Sequence, residues 1–169
     1  MLGSGRPSVA ALSRVQTAVG TMRFSLDTSD RLSLTCVYET SDGATVAVRP
    51  GDTTPVPTVA QTPSGHIVIN LRRIEHIQRL LIVIRAASPE TRWAGVVTAT
   101  LGGKTRVQFP IEAPIAHESL ALATGFVVDG RLAVRAEQDH VDIPLRGMCE
   151  RYGYTQIAWR DDRTPINSI

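Results

Sequence analysis

The sequence predicts a mainly β domain, a sandwich or barrel, and three observations predict it. Short runs rich in Val, Ile, Leu and Thr recur from Met22 onward. Glycine and proline punctuate nearly all of them. Two junctions are dipeptides that supply the positive φ of tight hairpins, Gly102-Gly103 and Asp129-Gly130. Many short strands at this spacing suit a sandwich or a barrel. The 169 residues are most simply one domain, long enough to bury a core without metals or disulfides.

Taken in order, residues 1–20 form an N-terminal arm or a short helix, with Val9, Leu12, Val15 and Val19 spaced for one helical face. The β domain is expected over residues 21–160. Its strands are "MRFSL", "RLSLTCVYE", "ATVAVR", "HIVINL", "RLLIVIRAA", "WAGVVTATL", "KTRVQFPIE", "LALATGFVV" and "RLAVRAEQ". Between Gly51 and Gly65, three prolines and few large apolar residues predict an exposed connection, long enough to be a candidate binding edge. "LRRIEHIQ" predicts a short helix after residue 71, feeding the apolar "LLIVI". In "VDIPLRGMCERYG", Ile143, Leu145, Met148, Cys149 and Tyr152 stand near helical spacing, and Gly153 is placed to cap a C-terminal helix. A strand "TQIAW" and a polar tail over residues 161–169 finish the chain. There is no repeat that would suggest a solenoid or propeller.

Composition narrows the function classes. The chain is 43% hydrophobic and 20% charged, and no run approaches the roughly 18 apolar residues of a membrane span. The first residues lack the continuous apolar stretch of a secretory signal, so the expectation is a soluble, cytoplasmic protein. Cys36 and Cys149 are far apart, without a CxxC partner, and read as reduced core thiols. The net charge of +2 does not imply nucleic acid. Lys104 is the only lysine, so the positive charge is nearly all arginine, which suits interfaces and nearly excludes lysine-based catalysis.

No catalytic motif rises above background. His66, His76, His117 and His140 show neither HxH nor HExxH spacing. The chain has no GxSxG elbow, no GxGxxG and no GxxxxGK[ST], although a triad assembled only in space stays open. Arg72, Arg73, Arg79, Arg85 and Arg92 are opposed in sequence only by Glu75 and Glu90. If they share a face, it attracts anions or an acidic partner; Arg72, Arg73, Arg79 and Arg92 are the partner-binding candidates. Trp93 is the only aromatic beside them, too few for a stacking platform, so no nucleic acid is expected.

Several stretches, in order, resemble the tellurium-resistance TerD family of cytoplasmic stress-response proteins. "VINLRRIEHIQRLLIVI" resembles the family's strand, short helix and buried strand, with Asn70-Leu71 where the family has Asp-Leu. "HESLALATGFVVDGRLAVRA" and "LRGMCERYG" are similar to its later strand pair and its terminal helix closing in Tyr-Gly. The resemblance runs from about Arg23 to Tyr154 and implies a two-sheet, calcium-binding β-sandwich. "DRLSLTCVYETSDG" resembles the family's Asp-Leu-Asp strand and Asp-Gly turn; aligned on Asp42-Gly43, it puts Arg31 and Ser33 at the two acidic ligand positions. The second acidic cluster corresponds to "TPSGH", where Ser64, Gly65 and His66 stand without a carboxylate.

Calcium asks for about six to eight oxygens, several of them charged carboxylates. The resemblance therefore implies a degenerate site at Arg31, Ser33, Ser64 and His66, with no cofactor held and Arg31 pairing with Asp27, Asp30 or Asp52. The expected function is a non-enzymatic interaction module of a bacterial stress-response or tellurite-resistance type system, with protein partners that are further copies or other stress-response proteins. A TerD-type calcium sensor is the alternative, and a small hydrolase or transferase the third reading.

Overall fold

The structure, a computed structural model, describes residues 9–13, 20–28, 31–48, 58–102, 105–113 and 118–166. The chain is mainly β. Its strands are β1 (Val9–Ala11), β2 (Thr21–Asp27), β3 (Leu32–Thr40), β4 (Thr45–Ala47), β5 (Val59–Gln61), β6 (Ile67–Asn70), β7 (Ile77–Ala86), β8 (Trp93–Leu101), β9 (Thr105–Ala113), β10 (Ser119–Val128), β11 (Arg131–Val141), β12 (Ala158–Asp161) and β13 (Thr164–Ile166). A six-stranded sheet in the order β1-β11-β10-β7-β3-β4 packs on a five-stranded sheet in the order β5-β6-β2-β8-β9, and β12 pairs with β13. A 3₁₀ helix (Leu71–His76) follows β6, and α1 (Leu145–Arg151) follows β11. The expected two-sheet sandwich, with a short helix after residue 71 and a C-terminal helix, is the observed architecture.

The two sheets meet different solvents. In the five-stranded sheet apolar and polar residues alternate: Met22 and Phe24 point into the core while Thr21 and Arg23 are exposed. Central strands of the six-stranded sheet are buried continuously, over Leu34–Tyr38 in β3 and Leu80–Ile84 in β7. Their inner faces, with Leu34, Cys36, Leu80, Ile82 and Ile84, join Phe24, Ile67, Ile69 and Val97 in the core between the sheets. Their outer faces, with Val37, Leu81, Val83 and Ala121, lie under Leu145, Met148, Cys149, Tyr154 and Ile157. The C-terminal segment is thus a third layer over the six-stranded sheet.

The third layer is locked at the end of α1. The Gly153 N–H donates to the Glu150 carbonyl at 3.0 Å and the Tyr154 N–H to the Cys149 carbonyl at 2.8 Å, a Schellman closure. Gly153 has the φ of +80° that this closure requires. Asn70 opens the 3₁₀ helix, its side chain accepting from the Arg72 N–H at 3.1 Å, the capping role for which Asn and Asp are both suited.

Three segments differ from expectation. Residues Val9–Ala11 form a strand on the free edge of β11, with Val9 opposite Arg135, because backbone pairing there outweighs a weak helical spacing; residues 14–19 lie outside those described. Within the proline-rich connection, residues 51–57 lie outside those described, while Val59–Gln61 pair with β6. Gln61 is buried there, its Nε2 donating across the sandwich to the Leu34 carbonyl at 2.7 Å. Near the C-terminus the strand begins at Ala158, and residues 161–166 continue into β13. The turn between them closes when the Arg163 N–H donates to Asp161 Oδ1 at 2.8 Å.

Two outcomes follow from this packing. A Cβ built on Gly125 falls 2.8 Å from Leu80 Cγ and 3.1 Å from Leu132 Cδ1, so Gly125→Val should cost about 1–3 kcal/mol in a urea melt. Burial pushes the Cys149 thiol up to about 12, and the Cys36 thiol is raised by burial as well. An unfolded chain releases these protons near pH 9, so stability is full below that pH and falls as pH rises toward the raised values. Native protein should therefore leave both thiols unreacted in a disulfide-exchange assay at pH 8, denatured protein should react at both, and the melting temperature should drop between pH 9 and 11.

Candidate functional site

The positions that the sequence assigned to a degenerate calcium site fall at one end of the sandwich. Here β2 ends at Asp27, the chain crosses to β3 past Arg31, and the β5–β6 turn rises beside β2, with Phe24 opposite Ile67. Asp27 and Arg31 are exposed, and the Arg31 carbonyl accepts from the Ala87 N–H at 3.0 Å. Ser33 lies on the outer face of β3, in register with Arg85. The Ser64 hydroxyl is 2.9 Å from Thr62 Oγ1, which also accepts from the His66 N–H at 3.1 Å, so these hydroxyls hold the turn together. Asp30 and Asp52 lie outside the described residues.

Asp27 is the one carboxylate of this set among the described residues, and it shares the end of the sandwich with the Arg31 cation. The described part of the set thus offers one carboxylate, where calcium takes several among its oxygens. Among the described residues no group of three or more His, Cys, Asp and Glu side chains is arranged to hold a metal ion.

The arginine candidates are not brought to one face. Arg72 and Arg73 lie on the 3₁₀ helix before β7, and Arg92 follows its far end; ten residues at about 3.3 Å each separate the two ends by roughly 30 Å. Arg72 and Arg92 are exposed, and Arg73 is half-buried.

Arg79 is engaged from several sides. Its Nε donates to Glu39 Oε2 at 2.8 Å and its Nη2 lies 2.6 Å from the same oxygen. Nη1 donates to the Tyr152 carbonyl at 3.1 Å and Nη2 to the Gly153 carbonyl at 2.8 Å. The guanidinium carbon stacks 4.4 Å from the Tyr154 ring centroid. Arg79 thereby ties the end of α1 to the sheet, a use of all parts of the guanidinium that a lysine cannot copy.

The concave feature best suited to a ligand lies elsewhere, on the open side of the sandwich. There β9, at the edge of the five-stranded sheet, extends past the three-residue β1 that ends the six-stranded one. The overhang leaves the inward face of β9 incompletely covered, so Val107 is 49% exposed and Phe109 half-buried. Pro110 is tolerated in β9 because an edge strand has one side without ladder bonds. A cleft of about 390 Å³ results, lined by Ala11, Leu12, Met22, Ala99, Leu101, Thr105, Val107, Gln108, Phe109, Val134, Ala136 and Gln138.

Gln138 reaches this wall through a bulge. Ala121 pairs with Asp139 but Ala123 with Ala136, so β11 carries an extra residue, and Gln138 takes a φ of +50°. None of the described lining residues ionises; the polar groups are the amides of Gln108 and Gln138 and the Thr105 hydroxyl. Such a wall can bury an apolar group and hydrogen-bond neutral polar atoms, but it holds no general acid, base or charged nucleophile. No motif in the sequence marks this cleft. Its one local signal was the alternation of Thr105, Val107 and Phe109 in a strand expected to be an ordinary member of a sheet.

No family model matches the chain, and no curated protein matches it.

Replacing Arg79 by Ala should cost about 2–3 kcal/mol in chemical denaturation, because it removes charge-assisted bonds to Glu39 and to two helix-end carbonyls. Arg79→Lys should recover less than half of that loss, since one ammonium cannot serve both Glu39 and the carbonyl pair.

Proposed function

We propose that this chain is a non-enzymatic, TerD-like interaction module that works without calcium in a stress-response or tellurite-resistance type system. It holds an uncharged, apolar segment of a protein partner in the cleft beside β9. The observation that carries this reading is the composition of that cleft, about 390 Å³ of mostly apolar wall with neutral amides and no ionisable group among its described lining residues. Its size falls within the roughly 300–1,000 Å³ of ordinary ligand sites, and its glutamines offer the donors and acceptors that a peptide backbone uses.

A hydrolase or transferase would want paired ionisable groups facing a pocket. The charged pairs nearest the third layer instead join elements: Arg79 with Glu39, Arg151 with Asp139, and Arg163 with Glu118. The TerD-like assignment is supported by the sequence resemblance, and the calcium-free part by the Arg31 cation and the hydroxyl-rich turn at Ser64.

Photocrosslinking in the native cell tests the cleft. A photoreactive residue at Gln108 should give a discrete protein adduct that disappears with Val107→Asp, while the same residue at the exposed Arg160 should give none. Equal adducts from both positions, or none from Gln108, would refute the cleft as the binding surface. Calcium titration tests the other half: the melting temperature should stay constant through the micromolar range, and a saturable rise would restore the sensor reading.

A further inference from the structure

A second cavity, unconnected with the cleft, lies under the third layer. On the outer face of the six-stranded sheet Ser33, Arg85 and Ser119 form one row across β3, β7 and β10. Leu145 at the start of α1 and Arg163 between β12 and β13 close over it, leaving about 20 Å³ lined by Arg85, Ala86, Glu118, Ser119, Leu145 and Arg163.

Two donors in this lining lack partners. Arg85 Nε and Ser119 Oγ are shut off from solvent and make no hydrogen bond among the described residues, and Ser119 is 0% exposed. Arg85 is otherwise held by Nη1, which donates to the Arg163 carbonyl at 3.0 Å. Among the described residues no carboxylate comes within ion-pair distance of Arg85, because Glu118 is taken by Arg163 at 2.5 Å. Burial, with the Arg163 cation acting in the same direction, depresses the Arg85 guanidinium below its usual value. A buried donor left unpaired is costly, and a charged one more so.

Size and charge limit what could meet these donors. A cavity needs about 10–15 Å³ to hold one water-sized particle, so this one admits a single small occupant and excludes phosphate or a carboxylate ligand. Arg85 and Arg163 against Glu118 leave one net positive charge around it, and the unmet groups are an N–H and an O–H. That environment favours a particle that accepts hydrogen bonds and carries negative charge.

We propose that this cavity is a binding site for one monoatomic anion of the halide class, chloride in size, held by Arg85 Nε–H and Ser119 Oγ–H. The ion bridges β7 and β10 beneath α1 and the β12–β13 turn, so its occupancy consolidates the third layer on the sheet.

The test uses the full chain in gluconate buffer at constant ionic strength, with sodium chloride or bromide exchanged in. A saturable rise in melting temperature is expected, ~3–6 °C at tenfold excess over the dissociation constant. Bromide-soaked crystals should show an anomalous peak between residues 85 and 119. Ser119→Ala should stay folded and lose most of the halide response, and Arg85→Gln, if it folds, should lose it entirely. A melting temperature indifferent to halide, an equal response in Ser119→Ala, or a site without anomalous signal would overturn the proposal and leave the cavity to water or an adventitious ion only.

Discussion

The architecture depends on one constraint: the middles of β3, β7 and β10 carry apolar side chains on both faces. A two-layer sandwich can cover only one of them. Val37, Leu81, Val83 and Ala121 would then face water, although burying a Val or Leu side chain is worth about 1.5–3 kcal/mol. The third layer removes that conflict. It is itself too small to stand alone, since α1 has seven residues and isolated helices of that length are marginal in water. Sheet and helix therefore stabilise each other, and the Schellman closure with the Arg79 contacts fixes where they meet.

The arginine-rich composition acquires a structural meaning in this light. Arg79, Arg146, Arg151 and Arg163 each join the C-terminal layer to another strand, to a turn or to themselves along the helix. Arg79 and Arg163 reach partners 40 and 45 positions away in sequence, Glu39 and Glu118. A planar fork can serve a carboxylate and two carbonyls at once, which a point-charge ammonium cannot. The same property explains why Arg79 is a poor candidate for a docking face, since its donors are turned toward the fold, while the exposed candidates Arg72 and Arg92 sit at opposite ends of β7.

The cleft arises from a mismatch at the opposite flank. The six-stranded sheet ends in a strand of three residues and the five-stranded sheet in one of nine. Inward-facing side chains of β9 therefore extend beyond their cover, and the bulge at Gln138 sets an amide at the boundary. This geometry makes a surface for binding without supplying acid–base groups. The sandwich thus has a neutral, apolar flank and a charged, heavily cross-linked face, and the two are suited to different work.

Much of the fold was legible in the sequence. The strand runs from Met22 to Gln138, the Asp129-Gly130 turn, the short helix after residue 71 and the Gly153 cap all follow from local chemistry: periodicity, β propensity and the φ that glycine permits. The absence of acids at Arg31, Ser33 and Ser64 is legible in the sequence as well. It did not show the third layer, because "LLIVI" reads the same whether one face or two are buried, nor the β1 and β5 pairings, which depend on free strand edges distant in sequence. The cleft was invisible for the same reason. Val107 and Phe109 are ordinary inward-facing strand residues, and only the unequal reach of two sheets leaves them uncovered. Local residue chemistry determined which segments are strands and turns; the tertiary structure decided which of their faces meet solvent, because that depends on what lies across from them in space.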